Sequence, residues 1–192
     1  LTNLDLSQNT ALTDLNCGYN PLTSLDVSQN AALTDLFCYG NQLTSLDVSG
    51  CSALTYLDLQ NNELTSLDLS QNLELVYLNC STNVITSLNL NQNTKLEELI
   101  TGSNLMQQLD VSGCDSLRDF ISSYGDMLTS LDFSQNPLLT TVEYGDDEGV
   151  LSCVNLKNGN SSNIVDLCIH SESLSCIQID DPSSLPYNFC GT

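Results

Sequence analysis

The residues able to do chemistry here are tyrosine, aspartate and asparagine. The seven tyrosines are Tyr19, Tyr39, Tyr56, Tyr77, Tyr124, Tyr144 and Tyr187. Several recur beside acids and amides, giving a candidate ligand patch of Asp14, Asn16, Asp35, Phe37, Tyr39, Tyr56, Asp58, Tyr77 and Asn79. Aromatic rings stack on sugars while carboxylates and amides bond the sugar hydroxyls. Tyrosine also serves protein interfaces as a low-entropy anchor, and surrounding acid favours a basic partner. Tyrosine is equally common on strand surfaces for reasons of packing alone. Catalytic options are thin. Asp14, Asp35, Asp58 and Glu98 supply carboxylates for a glycosidase-like pair, but nothing in the sequence raises one of them selectively. The single histidine, His170, has Asp166 and Ser171 nearby, and an exposed strand-end histidine fits it better than a hydrolase triad. No catalytic residue and no cofactor is assigned, and an enzyme is not expected.

Composition narrows the partners. The chain has 192 residues, 3 Lys and Arg against 24 Asp and Glu, and a net charge of -21. Phosphate backbones need many basic side chains, so nucleic acid is excluded, as is an anionic membrane surface. No apolar run approaches the ~20 residues of a spanning helix, so no direct insertion in a membrane is expected. At 41% hydrophobic residues the chain can still bury a core.

The elements that position these residues come from a repeat. Segments starting at Leu1, Leu22, Leu43, Leu64, Ile85 and Met106 lie 21 residues apart, and alternate with segments starting at Leu12, Leu33, Leu54, Leu75, Leu96 and Leu117. The first kind (B halves) reads LTSLDVSQNAA at 22–32. The second (A halves) reads LTDLFCYGNQ at 33–42, and with the next Leu gives LxxLxCxxNxL, the leucine-rich-repeat core pattern. Apolar residues at the fourth and sixth places of an A half alternate with polar ones, as a strand requires. The A halves are therefore assigned to a parallel, concave β-sheet and the B halves to the opposite wall of a β-rich solenoid with few or no regular helices. All the tyrosines fall in A halves. Such an asymmetry weighs against the third possibility, a passive structural spacer about 40 Å long built from stacked turns.

Equivalent residues then become columns, so Tyr56 and Tyr77, at the third place of consecutive A halves, should stack as neighbours. Asn20, Asn41, Asn62, Asn83 and Asn104 are expected to form a structural ladder satisfying backbone groups where the chain leaves each strand. In B halves Asn9, Asn30, Asn72, Asn93 and Asn136 form a similar column, interrupted by Cys51 and Cys114. The fifth place of B halves carries Asp5, Asp26, Asp47, Asp68, Asn89, Asp110 and Asp132, read as turn chemistry rather than a cation site. Asp146, Asp147, Glu148 and Gly149, and the pair Asp180 and Asp181, match no calcium loop, and no metal site is assigned. The Thr column beginning at Thr2 and Thr23 is flanked by acid, which disfavours ice binding.

The LTSLDVSQN and LTDLNCGYN units resemble the leucine-rich repeats of secreted and cell-surface proteins from Bacteroidetes, especially flavobacteria, and LKNGNSSNI followed by LSCIQIDD is similar to the end of such arrays. The resemblance implies an extracytoplasmic, non-enzymatic recognition or adhesion module, secreted or on the outer-membrane surface. A larger surface protein is expected, and because no cap pattern precedes the first repeat the array is expected to continue upstream of Leu1. A protein partner is the expected ligand, with a polysaccharide of a surface glycan-capture system as the alternative.

Residues 1–150 are read as the array of about seven repeats of 21–22 residues and 151–192 as irregular repeats with a C-terminal cap, all one continuous solenoid domain. Among the nine cysteines, Cys17, Cys38 and Cys80 interchange with Leu59 at an inward place and are read as buried thiols. Cys153 and Cys176 are both the third residue of a B half, one turn apart, which predicts a disulfide. Cys168 and Cys190 are also roughly one turn apart but sit one place out of step, and form the second predicted bridge. The CxxC pairs of a zinc site are absent.

Overall fold

The computed structural model describes residues 1–124, 126–146 and 149–184, with the backbone of 189–190. The chain winds as a solenoid whose A halves each contribute one short strand. These are β1 (Asp14–Asn16), β2 (Asp35–Phe37), β3 (Tyr56–Asp58), β4 (Tyr77–Asn79), β5 (Glu98–Ile100), β6 (Asp119–Ser123), β8 (Thr141–Gly145), β10 (Asp166–His170) and β12 (Phe189–Cys190). They pair in parallel as one nine-stranded sheet in the order β1-β2-β3-β4-β5-β6-β8-β10-β12. From β1 to β6 the register is set by the period, with Asp35 opposite Tyr56 and Tyr56 opposite Tyr77. The opposite wall becomes a sheet only towards the C-terminus, where β7 (Ser130–Asp132), β9 (Cys153–Leu156) and β11 (Cys176–Ile179) pair in parallel. Before that it is a stack of turns. Leu22, Leu33, Leu36, Leu54 and Leu57, with Leu43, Leu64, Leu75 and Leu78, fill the space between the walls and are fully buried. One turn cannot close a core, but stacking gives every leucine a neighbour above and below.

The two asparagine columns have different jobs. On the A wall the Asn62 amide donates to the carbonyls of Cys38 and Leu59, both at 3.0 Å, and its oxygen accepts the Leu43 N–H at 3.0 Å. Asn41, Asn83 and Asn104 repeat the pattern. On the B wall the Asn72 amide donates to the carbonyls of Val48 and Cys51, while the side-chain oxygens of Asn30, Asn72, Asn93 and Asn136 are buried without a partner. That difference explains Cys51 and Cys114 in the B column: a thiol keeps one weak donation, from Cys51 Sγ to the Val27 carbonyl at 3.5 Å, and no accepting role is lost.

The aspartates of the B halves are turn residues. Asp5, Asp26, Asp47, Asp68, Asp110 and Asp132 each accept the N–H of the serine two residues on, at 2.9–3.0 Å. These bonds hold the carboxyls of Asp5, Asp26, Asp47, Asp68 and Asp110 below the ordinary aspartate range. Among the described residues no group of three His, Cys, Asp or Glu is placed to hold a metal ion.

Cys153 and Cys176 lie opposite each other on β9 and β11 and are joined by a disulfide with a Cα–Cα distance of 4.4 Å. Cys17, Cys38, Cys51, Cys80 and Cys114 are buried free thiols, and burial pushes Cys80 and Cys114 up to about 12. The expected offset of Cys168 and Cys190 is corrected: the strand register sets their Cα atoms directly opposite. The pairing is therefore in step. The bridge expected between their side chains lies outside the described residues, as does the ring of Tyr187.

Candidate functional site

Third and fifth places of each A half point away from the core, so β1 to β4 carry the candidate patch on one surface. The patch divides in two. Phe37, Tyr56 and Tyr77 run as a row across β2, β3 and β4. Phe37 and Tyr56 lie 5.4 Å apart between ring centres, tilted by 40°, and Tyr56 and Tyr77 stack at 3.9 Å with only 5° between their planes. The register of the parallel strands produces this contact, since adjacent strands are ~4.8 Å apart and equivalent residues stand side by side. Tyr39 does not join the row. It pairs with Tyr19 at the end of the strands, at 5.0 Å and 78°, edge to face.

The carboxylates around the row are open to partners to different degrees. Asp14 and Asn16 are exposed on β1, the Asp14 carboxylate accepting the Thr13 hydroxyl and the Asn16 side chain accepting the Gly18 N–H. Asp35 is half-buried and accepts the Thr34 hydroxyl at 2.6 Å. Asp58 accepts the Gln60 N–H at 3.0 Å, and partial burial raises its carboxyl. Asn79 is turned to internal use: it is buried and accepts both the N–H and the hydroxyl of Ser81. Burial also raises the phenols of Tyr56 and Tyr77, with Glu98 contributing to the first and Asp58 leading the charges on the second, so both stay protonated at neutral pH. Glu98 on β5 is raised by burial and then by Asp119.

Three features escaped the sequence reading. Ile100 and Ile121 extend the outward row beyond Asn79, half-buried, on β5 and β6. Gly18 and Gly40 make room for the Tyr39 and Tyr19 rings. Third, the A-wall ladder continues at Asp126, one place late because of the extra residue in 117–127. Its Oδ1 faces the Met106 N–H at 3.4 Å and its Oδ2 accepts the Ser122 hydroxyl at 2.8 Å. The residue is 1% exposed, and burial raises its carboxyl against the opposing effect of Ser122. The signal was present: counting from Asn104 with one inserted residue lands on 126.

A cleft at the C-terminal ends of β6, β8 and β10 is lined by Tyr124, Glu143, Asp146 and His170. His170 Nδ1 lies 3.6 Å from Cys168 Sγ. No nucleophile–base–orienter chain connects Asp166, His170 and Ser171: the Ser171 hydroxyl donates to the Leu151 carbonyl.

The leucine-rich-repeat family described as Leucine Rich repeats (2 copies) matches residues 31–72. No curated protein matches the sequence. Among solved structures, the functional domain of InlJ from Listeria monocytogenes, described as including a cysteine ladder, is 27% identical with a TM-score of 0.77, over 96% of this chain and 44% of that one. A leucine-rich-repeat protein of Leptospira interrogans is 21% identical, with a TM-score of 0.76 over 98% of this chain and 62% of that one. Internalin C2 of Listeria monocytogenes is 18% identical, with a TM-score of 0.72 over 93% and 79%. The chain thus spans less than two thirds of the first two proteins. Stacked 21-residue turns, a parallel sheet from the LxxLxCxxNxL halves and these likenesses together make the chain a leucine-rich-repeat solenoid in fold.

Proposed function

We propose that this solenoid is a non-enzymatic protein-binding module that takes a basic partner on the outward face of its nine-stranded sheet, centred on Phe37, Tyr56 and Tyr77. The observation that carries the reading is the aromatic row standing among acids with no basic counterpart. The third and fifth places of β1 to β6 hold Asp14, Asp35, Asp58, Glu98 and Asp119 and no Lys or Arg. Lys95 and Arg118 are engaged off this face, by Glu74 and Glu97. Aromatic anchors give contact area, and an acidic field accelerates encounter with a cationic surface.

A protein suits the row better than a sugar. Tyr56 and Tyr77 each cover one face of the other and Phe37 packs against Tyr56, which leaves fewer open ring faces in the row, whereas a sugar stacks on a ring face. The likeness to internalin-type leucine-rich-repeat structures favours recognition over catalysis. The Cys153–Cys176 disulfide suits an oxidising compartment and supports an extracytoplasmic location. Among the described residues no helix is long and apolar enough to cross a membrane.

Affinity capture followed by surface plasmon resonance tests the reading. Wild type and Tyr56→Ala/Tyr77→Ala are compared against each captured protein at low and high salt. A true partner binds the double variant at least about tenfold more weakly, a loss of about 1.4 kcal/mol, and associates more slowly as salt rises. An unchanged affinity for the double variant would sink the assignment to this face.

A further inference from the structure

We propose a second binding site, independent of the sheet face, that takes one ring of a neutral saccharide at the strand ends between Tyr19 and Thr82. A cleft of about 180 Å³ lies there, lined by Tyr19, Tyr39, Gly40, Gln60, Asn61 and Thr82.

The site is built by an exchange of glycine and tyrosine between adjacent turns. The seventh and eighth places read Gly18-Tyr19 in one turn and Tyr39-Gly40 in the next. A Cβ on Gly18 would fall 2.6 Å from Tyr39 Cε2, and one on Gly40 would fall 2.7 Å from Tyr19 Cδ1. Each ring therefore sits over the position where the other turn has no side chain. Gly40 also has a φ of +65°, which a side chain disfavours. The pair meets edge to face, so the rings do not cover one another as Tyr56 and Tyr77 do. Tyr19 remains 81% exposed although its neighbours hold it in place. An ordered aromatic face open to solvent is what a sugar ring stacks on.

The rest of the lining supplies the polar half of the recognition. Gln60, Asn61 and Thr82 follow on the next two turns, and their side chains make no hydrogen bond within the described residues. Two amides and a hydroxyl offer both donors and acceptors, the complement of a sugar's hydroxyls. No Asp, Glu, Lys, Arg or His is among the six lining residues, on a chain whose net charge is -21. The surrounding field repels uronic and sulfated sugars and leaves neutral ones. Asn61 and Thr82 have φ values of 57° and 54°, which turn the chain sharply at the cleft wall.

The test is an NMR titration of the ¹⁵N-labelled protein with four neutral oligosaccharides, the hexamers of the cello-, malto-, manno- and chito- series. At least one is expected to shift the amides of residues 18–19, 39–40, 60–61 and 82 with a Kd near about 1 mM, typical of a single stacked ring. Tyr19→Ala, at a solvent-exposed position, is expected to weaken that binding at least about tenfold, and Asn61→Asp to weaken it as well. Tyr19→Phe keeps the ring and retains binding, and Tyr56→Ala leaves it unchanged, which separates this site from the sheet face. No shift with any of the four sugars at about 10 mM, or binding that survives Tyr19→Ala, overturns the proposal. So does a proline-rich peptide shifting these amides where every sugar fails.

Discussion

The two walls of this solenoid use the same residue for different ends. A-wall asparagines donate and accept, and tie at least three backbone groups each. B-wall asparagines only donate, and leave an oxygen idle. Substitution follows function: the B column admits Cys51 and Cys114, while from residue 20 to 104 the A column admits nothing but asparagine. A column of identical residues is therefore no measure of equal importance. What matters is how many bonds each position makes that a replacement could not.

Substitution on one wall against the other probes this directly. Asn62→Ala is expected to cost about 4 kcal/mol, because three bonds are lost and the Leu43 N–H is left buried without a partner. Asn72→Ala loses two bonds and orphans no donor, so about 2 kcal/mol is expected by urea denaturation, and equal costs would break the contrast. The C-terminal B wall replaces side-chain ladders by strand pairing and a crosslink. Cys153→Ser/Cys176→Ser should cost about 3 kcal/mol for a loop closed over 23 residues. Hydrogen exchange should confine the loosening to β7, β9 and β11. Smaller still, Asn72→Cys should cost about 1 kcal/mol, by analogy with Cys51, and Asn62→Cys clearly more.

Asp126 tests the A wall with opposite sign. It occupies a ladder position with a group that cannot donate unless protonated. Its folded-state carboxyl is raised above the ordinary 3.8. The protonated form is therefore favoured by folding: this contribution is whole below 3.8 and is lost as pH rises through the elevated folded value. Asp126→Asn should gain about 1 kcal/mol at neutral pH and flatten that part of the pH profile, read from midpoints across pH 3.8 to neutrality. The exposed B-wall aspartates run the other way. Their lowered carboxyls contribute above the ordinary value and lose that contribution as pH falls. The smallest effect expected is the coupling between Tyr56 and Tyr77, about 0.5–1 kcal/mol in a double-mutant cycle.

Much of this was legible in the sequence because a 21-residue period converts spacing into height. It placed Tyr56 against Tyr77, Leu36 and Cys38 inside, and Cys153 beside Cys176. Counting failed where residues were added. One insertion hid Asp126 as the sixth rung of the ladder, and Cys168 and Cys190 stand opposite each other where the count set them one place apart. The ring partner of Tyr39 was not legible. Tyr39 is next but one to Phe37 in sequence, yet its ring leaves the Phe37 row for Tyr19, because Gly18 offers the space. Neither a period nor a propensity encodes which way a side chain leans at the end of a strand.

The A-wall amides reach carbonyls 3 and 24 residues back and no farther. Every coil thus completes its bonding with its immediate neighbour, and none depends on how many others exist. Excising or duplicating a 21-residue block within the regular portion would reproduce the same contacts at the seam. The architecture has no built-in size, and its extent is open to change by gene duplication in whole steps. A single-residue shift, as at Asp126, has to be repaired locally.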